Sequence, residues 1–274
     1  MKNNAARYLS LYHSIMKYGI LRQPRGQPCR DLMNGQIILF THESPCTSFE
    51  ARKFNLEYAK QELKWYIEAN PYADWIEQYA TAWKKLKQPR SGMFFSNYGQ
   101  YLFDKHIGGE ENKTQFQYVV ETLIKDPDSR RATMVLLQPH HLFHQNVDTV
   151  CTYAIQFSIY ENELHMTVLM RSNDAIWGLS NDAFCFWCIY QMVYALLQEV
   201  NPRLKRGLYT HIANSLHIYE RHYAMVDNMI RDDLRGYQHI DVPFITANEV
   251  RHIFNLDGPK SEGDFLEWLS PYNK

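Results

Sequence analysis

The stretch VCTYAIQFSIYENELHMTVLMRSNDAIWGLSND, residues 150–182, decides the fold. Val150–Tyr160 and Leu164–Arg171 read as strands on either side of Glu161-Asn162, a dipeptide suited to a tight turn, so they predict a hairpin. A polar segment, Arg171–Asp182, then links the second strand to an apolar helix over Ala183–Leu197. Asn181 and Asp182 carry side chains that favour a helix N-cap, and spacing alone makes capping the simplest role for Asp182.

Working outward, Ala5, Leu9, Tyr12, Ile15 and Met16 recur at helical spacing and predict a helix over the first ~18 residues. A Gly/Pro-containing loop over Arg22–Arg30 and a short buried strand at Ile37–Phe40 follow. Phe54, Tyr58, Leu63, Trp65 and Tyr66 mark a second helix ended by Asn70-Pro71, and a Trp-containing helix covers Ala73–Leu86. Gln88–Tyr98 reads as loop. Thr114–Ile124 reads as helix closed by Asp126-Pro127-Asp128, and Ala132–Gln138 as strand. Beyond the central stretch, Gly207–Ala213 predicts a strand and Leu216–Met229 a helix. No linker, repeat or composition shift divides the chain. The expectation is an α+β fold in one domain over residues 1–274, with a mixed or antiparallel twisted sheet packed on helices.

Composition narrows the function. The 274 residues are 45% hydrophobic and 22% charged, as in ordinary globular proteins, and 29 Lys+Arg against 30 Asp+Glu give a net charge of −1. A protein that coats nucleic acid needs clustered positive charge to release counterions, so a polymer partner is not expected. The opening MKNNAARYLS is polar, unlike a secretory signal, and the longest apolar stretch, Ala183–Leu197, falls short of the ~18 residues that suggest a bilayer span. Five cysteines are then expected to be reduced thiols in a cytoplasm. Cys185 and Cys188 form a CxxC, but within an apolar helix and without a second Cys/His pair, so they read as buried thiols and no metal is expected.

Cys151 stands apart, following a largely polar segment at the start of a strand. It is either an inert buried thiol or a nucleophile, and reactivity requires an electropositive setting. Arg130-Arg131 at the start of one strand and Arg171 at the end of another offer that setting, since guanidinium groups grip phosphate or carboxylate bidentately. The Arg171–Asp182 turn adds hydroxyl, amide and backbone donors suited to an anion.

These residues resemble the thymidylate synthase superfamily. The resemblance rests on DSRRATMVLLQP from Asp128, VCTYAIQF from Val150, MRSNDAIWGLSND from Met170 and SLHIYERH from Ser215, with QELKWYIEAN from Gln61 and SNYG at Ser96–Gly99. It implies a homodimer through the sheet that binds a pyrimidine nucleotide monophosphate beside 5,10-methylenetetrahydrofolate. By residue match, Cys151 is the nucleophile that adds to C6 of the base. Arg171 and Ser172 hold the phosphate, with Arg30 as a mobile-loop arginine and Arg130 and Arg131 contributed by the partner subunit. Glu62 organises proton transfer, and Tyr98 lines the cleft. His217 and Tyr219 bind the sugar 3′-hydroxyl. Asp174 meets the folate pterin, with Trp83 and Gly178 on the same cofactor side.

Three departures sharpen the expectation. Asp182 stands where thymidylate synthases have Asn, and a carboxylate accepts from cytosine N4, whereas it would oppose uracil O4 acceptor to acceptor. Thr152 replaces the His after the nucleophile. The end, Leu269-Ser270-Pro271-Tyr272-Asn273-Lys274, lacks an obvious apolar closing segment of the kind that excludes water. Together they resemble the deoxycytidylate 5-hydroxymethylase branch. The alternatives are a dCMP 5-methylase and a CMP 5-hydroxymethylase, with a thymidylate synthase proper or an idle nucleotide- or RNA-binding homologue further off.

Overall fold

The computed structural model describes residues 3–104 and 113–270. Of the chain's end quoted above, Leu269 and Ser270 lie within the described residues and the other four outside them.

The central hairpin forms as expected. Strands β5 (Thr152–Tyr160) and β6 (Glu163–Asp174) pair antiparallel with Tyr160 opposite Glu163, and Glu161 and Asn162 turn the chain with φ of 49° and 64°. Two consecutive positive φ values give the turn a twist that matches the strands it joins. Helix α5 (Gly178–Val200) crosses over to β7 (Lys205–Tyr219), which lies parallel to β6. Upstream stand α1 (Asn4–Tyr18), β1 (Ile20–Arg22), β2 (Cys29–Phe40), β3 (Thr47–Phe49), α2 (Leu56–Glu68), α3 (Gly99–Leu102), α4 (Gln115–Lys125) and β4 (Thr133–Val135). Downstream come α6 (Tyr223–Asp232), β8 (Tyr237–His239), α7 (Ala247–Phe254) and α8 (Asp264–Leu269). The main sheet runs β1-β2-β7-β6-β5-β4, mixed only at β6–β7, and β3 pairs with β8 separately. This is the expected α+β architecture.

Helix α5 is the centre of the core. Phe184, Phe186, Trp187, Ile189, Tyr190 and Val193 are essentially inaccessible to solvent. Each polar aromatic handle finds a partner: Trp187 Nε1 donates to Thr41 O at 3.0 Å and Tyr190 Oη to Leu164 O at 2.9 Å. At 23 residues and mean hydropathy 1.3, α5 is longer than the sequence run suggested, and by length and composition alone is apolar enough to cross a membrane. Here it is spent on the interior. Cys185 and Cys188 lie fully buried on it, their thiols pushed up by burial.

Four local expectations are corrected. The segment Ala73–Leu86 is two 3-10 turns, Trp75–Gln78 and Thr81–Lys85, because extended Ala80 swings Trp83 onto Trp65 at 4.8 Å and onto Phe94 at 6.0 Å. The Arg22–Arg30 loop is shorter, since β1 pairs back on β2 with Arg22 opposite Cys29. Leu216–Tyr219 is strand rather than helix: β7 is paired on both sides, with Cys29 opposite Tyr219 and Asp174 opposite His217, and that pairing overrides the helical spacing. Finally, α5 begins at Gly178, so Asp182 sits one turn inside the helix and does not cap it.

Candidate functional site

Cys151 immediately precedes β5, and its carbonyl accepts from the Arg171 backbone N–H at 2.8 Å, tying the end of β6 to the thiol. Arg171 folds back over the same turn. Its Nη2 donates to Thr149 O at 2.8 Å and to Cys151 Sγ at 3.2 Å, while Nε donates to Val150 O at 3.0 Å. Burial pushes the thiol above its ordinary range, the Arg171 guanidinium opposes that rise, and Asp182 and Asp148 reinforce it. The arginine therefore favours the thiolate that a nucleophile requires.

Helix α2 brings Glu62 to the same place. Tyr58, one turn earlier, donates from its hydroxyl to Glu62 Oε1 at 2.8 Å, and Trp83 Nε1 donates to that hydroxyl at 3.1 Å. Glu62 is buried, and desolvation together with the nearby Asp182 carboxylate raises its pKa to about 8. Asp182, half-buried on the inner face of α5, is raised to about 7 by desolvation, against the pull of an Asn173 amide that donates to its Oδ2 at 3.0 Å. Both carboxyls are thus poised to hold or release a proton near neutrality.

Tyr98 is buried between Tyr66, stacked at 5.3 Å, and Phe186, at 6.0 Å and 5° between planes. Its place depends on the next residue: a Cβ at Gly99 would lie 1.7 Å from Tyr66 O, so only glycine lets α3 approach α2 so closely. Ser96 anchors the same loop through two hydrogen bonds to the Asp148 carboxylate, at 2.6 and 2.7 Å.

At the far end of β6, Asp174 accepts from the Ile176 N–H at 2.9 Å and lies opposite His217. His217 is buried and packs edge-on to Tyr219 at 4.8 Å. Its Nδ1 lies 3.4 Å from Ser215 Oγ, which donates to Asp31 Oδ2 at 2.8 Å, and its Nε2 is buried without a partner among the described residues. Ser172 adjoins Arg171 on β6.

The structure thus gathers Cys151, Arg171, Asp182, Glu62 and Tyr98, with His217, Tyr219 and Asp174 along the adjoining strand ends. Arg30 is half-buried on β2, donating to Gly19 O at 3.4 Å and facing the Tyr223 ring at 5.9 Å. Arg130 and Arg131 are not brought in: both are exposed before β4, where Thr133 faces Gln156, five residues along β5 from Cys151. Trp83 contributes through Tyr58, and Gly178 makes room for Asn173, whose Oδ1 would lie 2.4 Å from a Cβ there. Sequence reading missed Tyr58 and Asn173. The four-residue spacing of Tyr58 and Glu62 on a helix was the available signal for the first. Asn173 lay inside the quoted motif, but its contact with Asp182 exists only once β6 and α5 pack.

Comparison with known proteins identifies the chain's relatives. The sequence profile of the thymidylate synthase family matches residues 6–257. A deoxycytidylate 5-hydroxymethyltransferase of Enterobacteria phage T4 is 30% identical over 184 residues, covering 64% of this chain and 71% of that protein. A putative thymidylate synthase of Methanosarcina acetivorans is 31% identical over 181 residues, covering 59% and 74%. The fold is similar to that of the thermostable thymidylate synthase A from Bacillus subtilis, with a TM-score of 0.69 over 88% of this chain and 95% of that one at 20% identity. With the profile spanning nearly the whole chain and the fold shared, this protein belongs to the thymidylate synthase family of one-carbon transferases, which act on a nucleotide with methylenetetrahydrofolate.

Proposed function

We propose that this protein converts dCMP to 5-hydroxymethyl-dCMP, with methylenetetrahydrofolate supplying the one-carbon unit and water completing the product. The observation that carries this reading is Asp182: a carboxyl with a pKa of about 7, beside the Cys151–Arg171 pair, standing where the resemblance puts the Asn that reads uracil in thymidylate synthases. A carboxyl holding one proton between itself and cytosine N3 accepts from N4–H₂ with its other oxygen, whereas an amide suits uracil.

The remaining residues take roles that follow from their surroundings. Cys151 attacks C6, turning C5 into an enamine carbon able to accept the one-carbon unit, with Arg171 favouring the thiolate. Glu62, held by Tyr58, moves protons at the base. His217 Nε2, buried and unpartnered among the described residues, accepts from the sugar 3′-hydroxyl with Tyr219 beside it. Arg171, Ser172 and Arg30 hold the phosphate. Asp174 offers its second oxygen to N–H donors of the folate, and the exposed Trp177 ring, backed by Arg52 at 4.9 Å, gives that side a flat surface for an aromatic group. Arg130 and Arg131 reach a phosphate from a second copy of the chain, with the outer face of the main sheet, where Tyr153, Leu169 and Met33 are exposed, as the contact.

The test is to incubate the protein with methylenetetrahydrofolate and dCMP, CMP or dUMP, identify products by mass and follow dihydrofolate by absorbance. Hydroxymethyl-dCMP without dihydrofolate is expected. Methylated product with dihydrofolate overturns the reaction type, and preference for dUMP or CMP overturns the substrate.

A further inference from the structure

Behind Asp182 lies a buried polar chain that the reaction as described leaves unused. Asn173 Nδ2, which donates to Asp182 Oδ2, also lies 3.0 Å from His211 Nε2, and His211 Nδ1 lies 2.7 Å from Tyr209 Oη. Asn173 is 5% exposed, and His211 and Tyr209 are fully buried. Tyr209 and His211, two residues apart, share the buried face of β7, and the 3.0 Å contact with His211 Nε2 brings the Asn173 side chain of β6 to that same face.

The geometry fixes the direction of each bond. Asn173 Oδ1 rests against Gly178, in the first turn of α5, where the positive end of the helix dipole favours an oxygen over an NH₂ group. The amide NH₂ then faces His211 Nε2, Asp182 Oδ2 and, at 3.2 Å, Met170 Sδ, and its two hydrogens go to the two strong acceptors rather than to the weakly accepting sulfur. His211 Nε2 is therefore an acceptor, and its proton sits on Nδ1, donated to Tyr209 Oη. Burial drives the imidazole down to a pKa of about 3, so the ring stays neutral and keeps an acceptor nitrogen throughout the neutral range.

This arrangement matters because a protonated carboxyl has two mirror-image states. With its proton on the oxygen facing N3 and an acceptor facing C4, it matches cytosine. With the proton on the oxygen facing C4, it matches uracil O4 and N3–H equally well. A bare aspartic acid would therefore select weakly. We propose that the chain Tyr209–His211–Asn173 selects the base: by donating into Oδ2 it holds that oxygen as an acceptor and confines the proton to Oδ1, so Asp182 reads cytosine N4 and N3 and rejects uracil. These are positioning residues, since none of the three touches the base, and the inference rests on the dCMP reading above.

The decisive variant is Tyr209→Phe, which removes one hydroxyl from the far end of the chain, supported by His211→Leu and by His211→Gln, whose amide oxygen restores an acceptor. The readouts are kcat/KM for dCMP and for dUMP across pH 5–10, with thermal melts to verify folding. In Tyr209→Phe and His211→Leu the dCMP/dUMP ratio falls about tenfold, the upper end of what one hydrogen bond contributes, chiefly through gained dUMP turnover. The alkaline limb of the dCMP profile moves to higher pH as Asp182 loses its donor, and His211→Gln returns both towards wild type. A loss of packing alone would lower both substrates together and leave the limb in place. A wild-type preference for dCMP with ratio and limb unmoved in folded Tyr209→Phe overturns this inference alone. A wild-type preference for dUMP overturns the substrate reading and the inference with it.

Discussion

In the proposed reaction, Cys151 on the sheet side of the site must lose a proton to act, whereas Asp182 and Glu62 on the helix side must each keep one at neutral pH. Burial acts on all three in the same sense, favouring the neutral form, yet it hinders the first group and serves the other two. The structure resolves this with a guanidinium placed asymmetrically: Arg171 donates to Cys151 Sγ at 3.2 Å, while among the described residues Glu62 takes neutral donors, Tyr58 and Tyr66, and Asp182 takes the Asn173 amide. A cation is supplied where ionisation is needed and withheld where it is not.

The largest break in this comparison comes from removing the group on which the sheet side depends. Cys151→Ala should lower turnover by about 10⁴-fold or more while nucleotide affinity changes little, because covalent activation is lost but the anion site remains. Equilibrium binding and single-turnover product analysis check both halves, and measurable turnover by the alanine variant removes the nucleophile assignment. Asp182→Asn breaks the helix side next. Held by the Asn173 donor, the amide oxygen stays at the Oδ2 position, so the single variant keeps a cytosine pattern and shifts the dCMP/dUMP ratio only modestly. With His211→Leu added, the amide is free to turn and the ratio of kcat/KM should invert, by a factor on the order of 10³, since a site built on one hydrogen-bond pattern leaves buried groups unpaired against the other. An unchanged ratio in the double variant would detach Asp182 from base recognition.

A smaller effect probes the cation itself. Arg171→Met should slow alkylation of Cys151 by iodoacetamide at pH 7 and move the midpoint of its pH–rate profile upward, because the guanidinium is the main influence opposing burial. If the midpoint stays where it is in the wild type, Arg171 serves the phosphate alone.

How much of this was legible in the sequence follows the range of each interaction. The hairpin was readable because Glu161-Asn162 and the flanking alternation are local signals, and Cys151, Arg171 and Glu62 came through motif resemblance. What local spacing misjudged were positions decided by partners distant in the chain. Leu216–Tyr219 has a helix-compatible pattern but is strand because β2 and β6 pair with it on either side. Asp182 looked like a cap because the residues before it are polar, whereas the helix starts at Gly178, letting Asn173 tuck against it. Tyr209 and His211 read as ordinary strand residues, and nothing in their own segment marks their link to Asp182.

The mildest test of the comparison needs no substrate. Asp182 and Glu62 have folded-state pKa values of about 7 and about 8, above the ordinary carboxylate range they recover on unfolding. Between pH 4 and 8 the folded state therefore binds more protons than the unfolded chain, so these two groups support stability fully at acid pH and lose that support as pH rises through 7 and 8. Asp182→Asn or Glu62→Gln removes a group that must ionise at a cost and should flatten that decline. Relative to wild type, each variant should gain stability between pH 5 and pH 8.5 on the order of 3 kcal/mol, about 1.4 kcal/mol for each pH unit over which only the folded state keeps the proton. Urea denaturation at the two pH values measures it. A parallel pH dependence in wild type and both variants would mean that the carboxyls ionise freely in the folded protein. The helix side would then lack the protons that distinguish it from the thiol side.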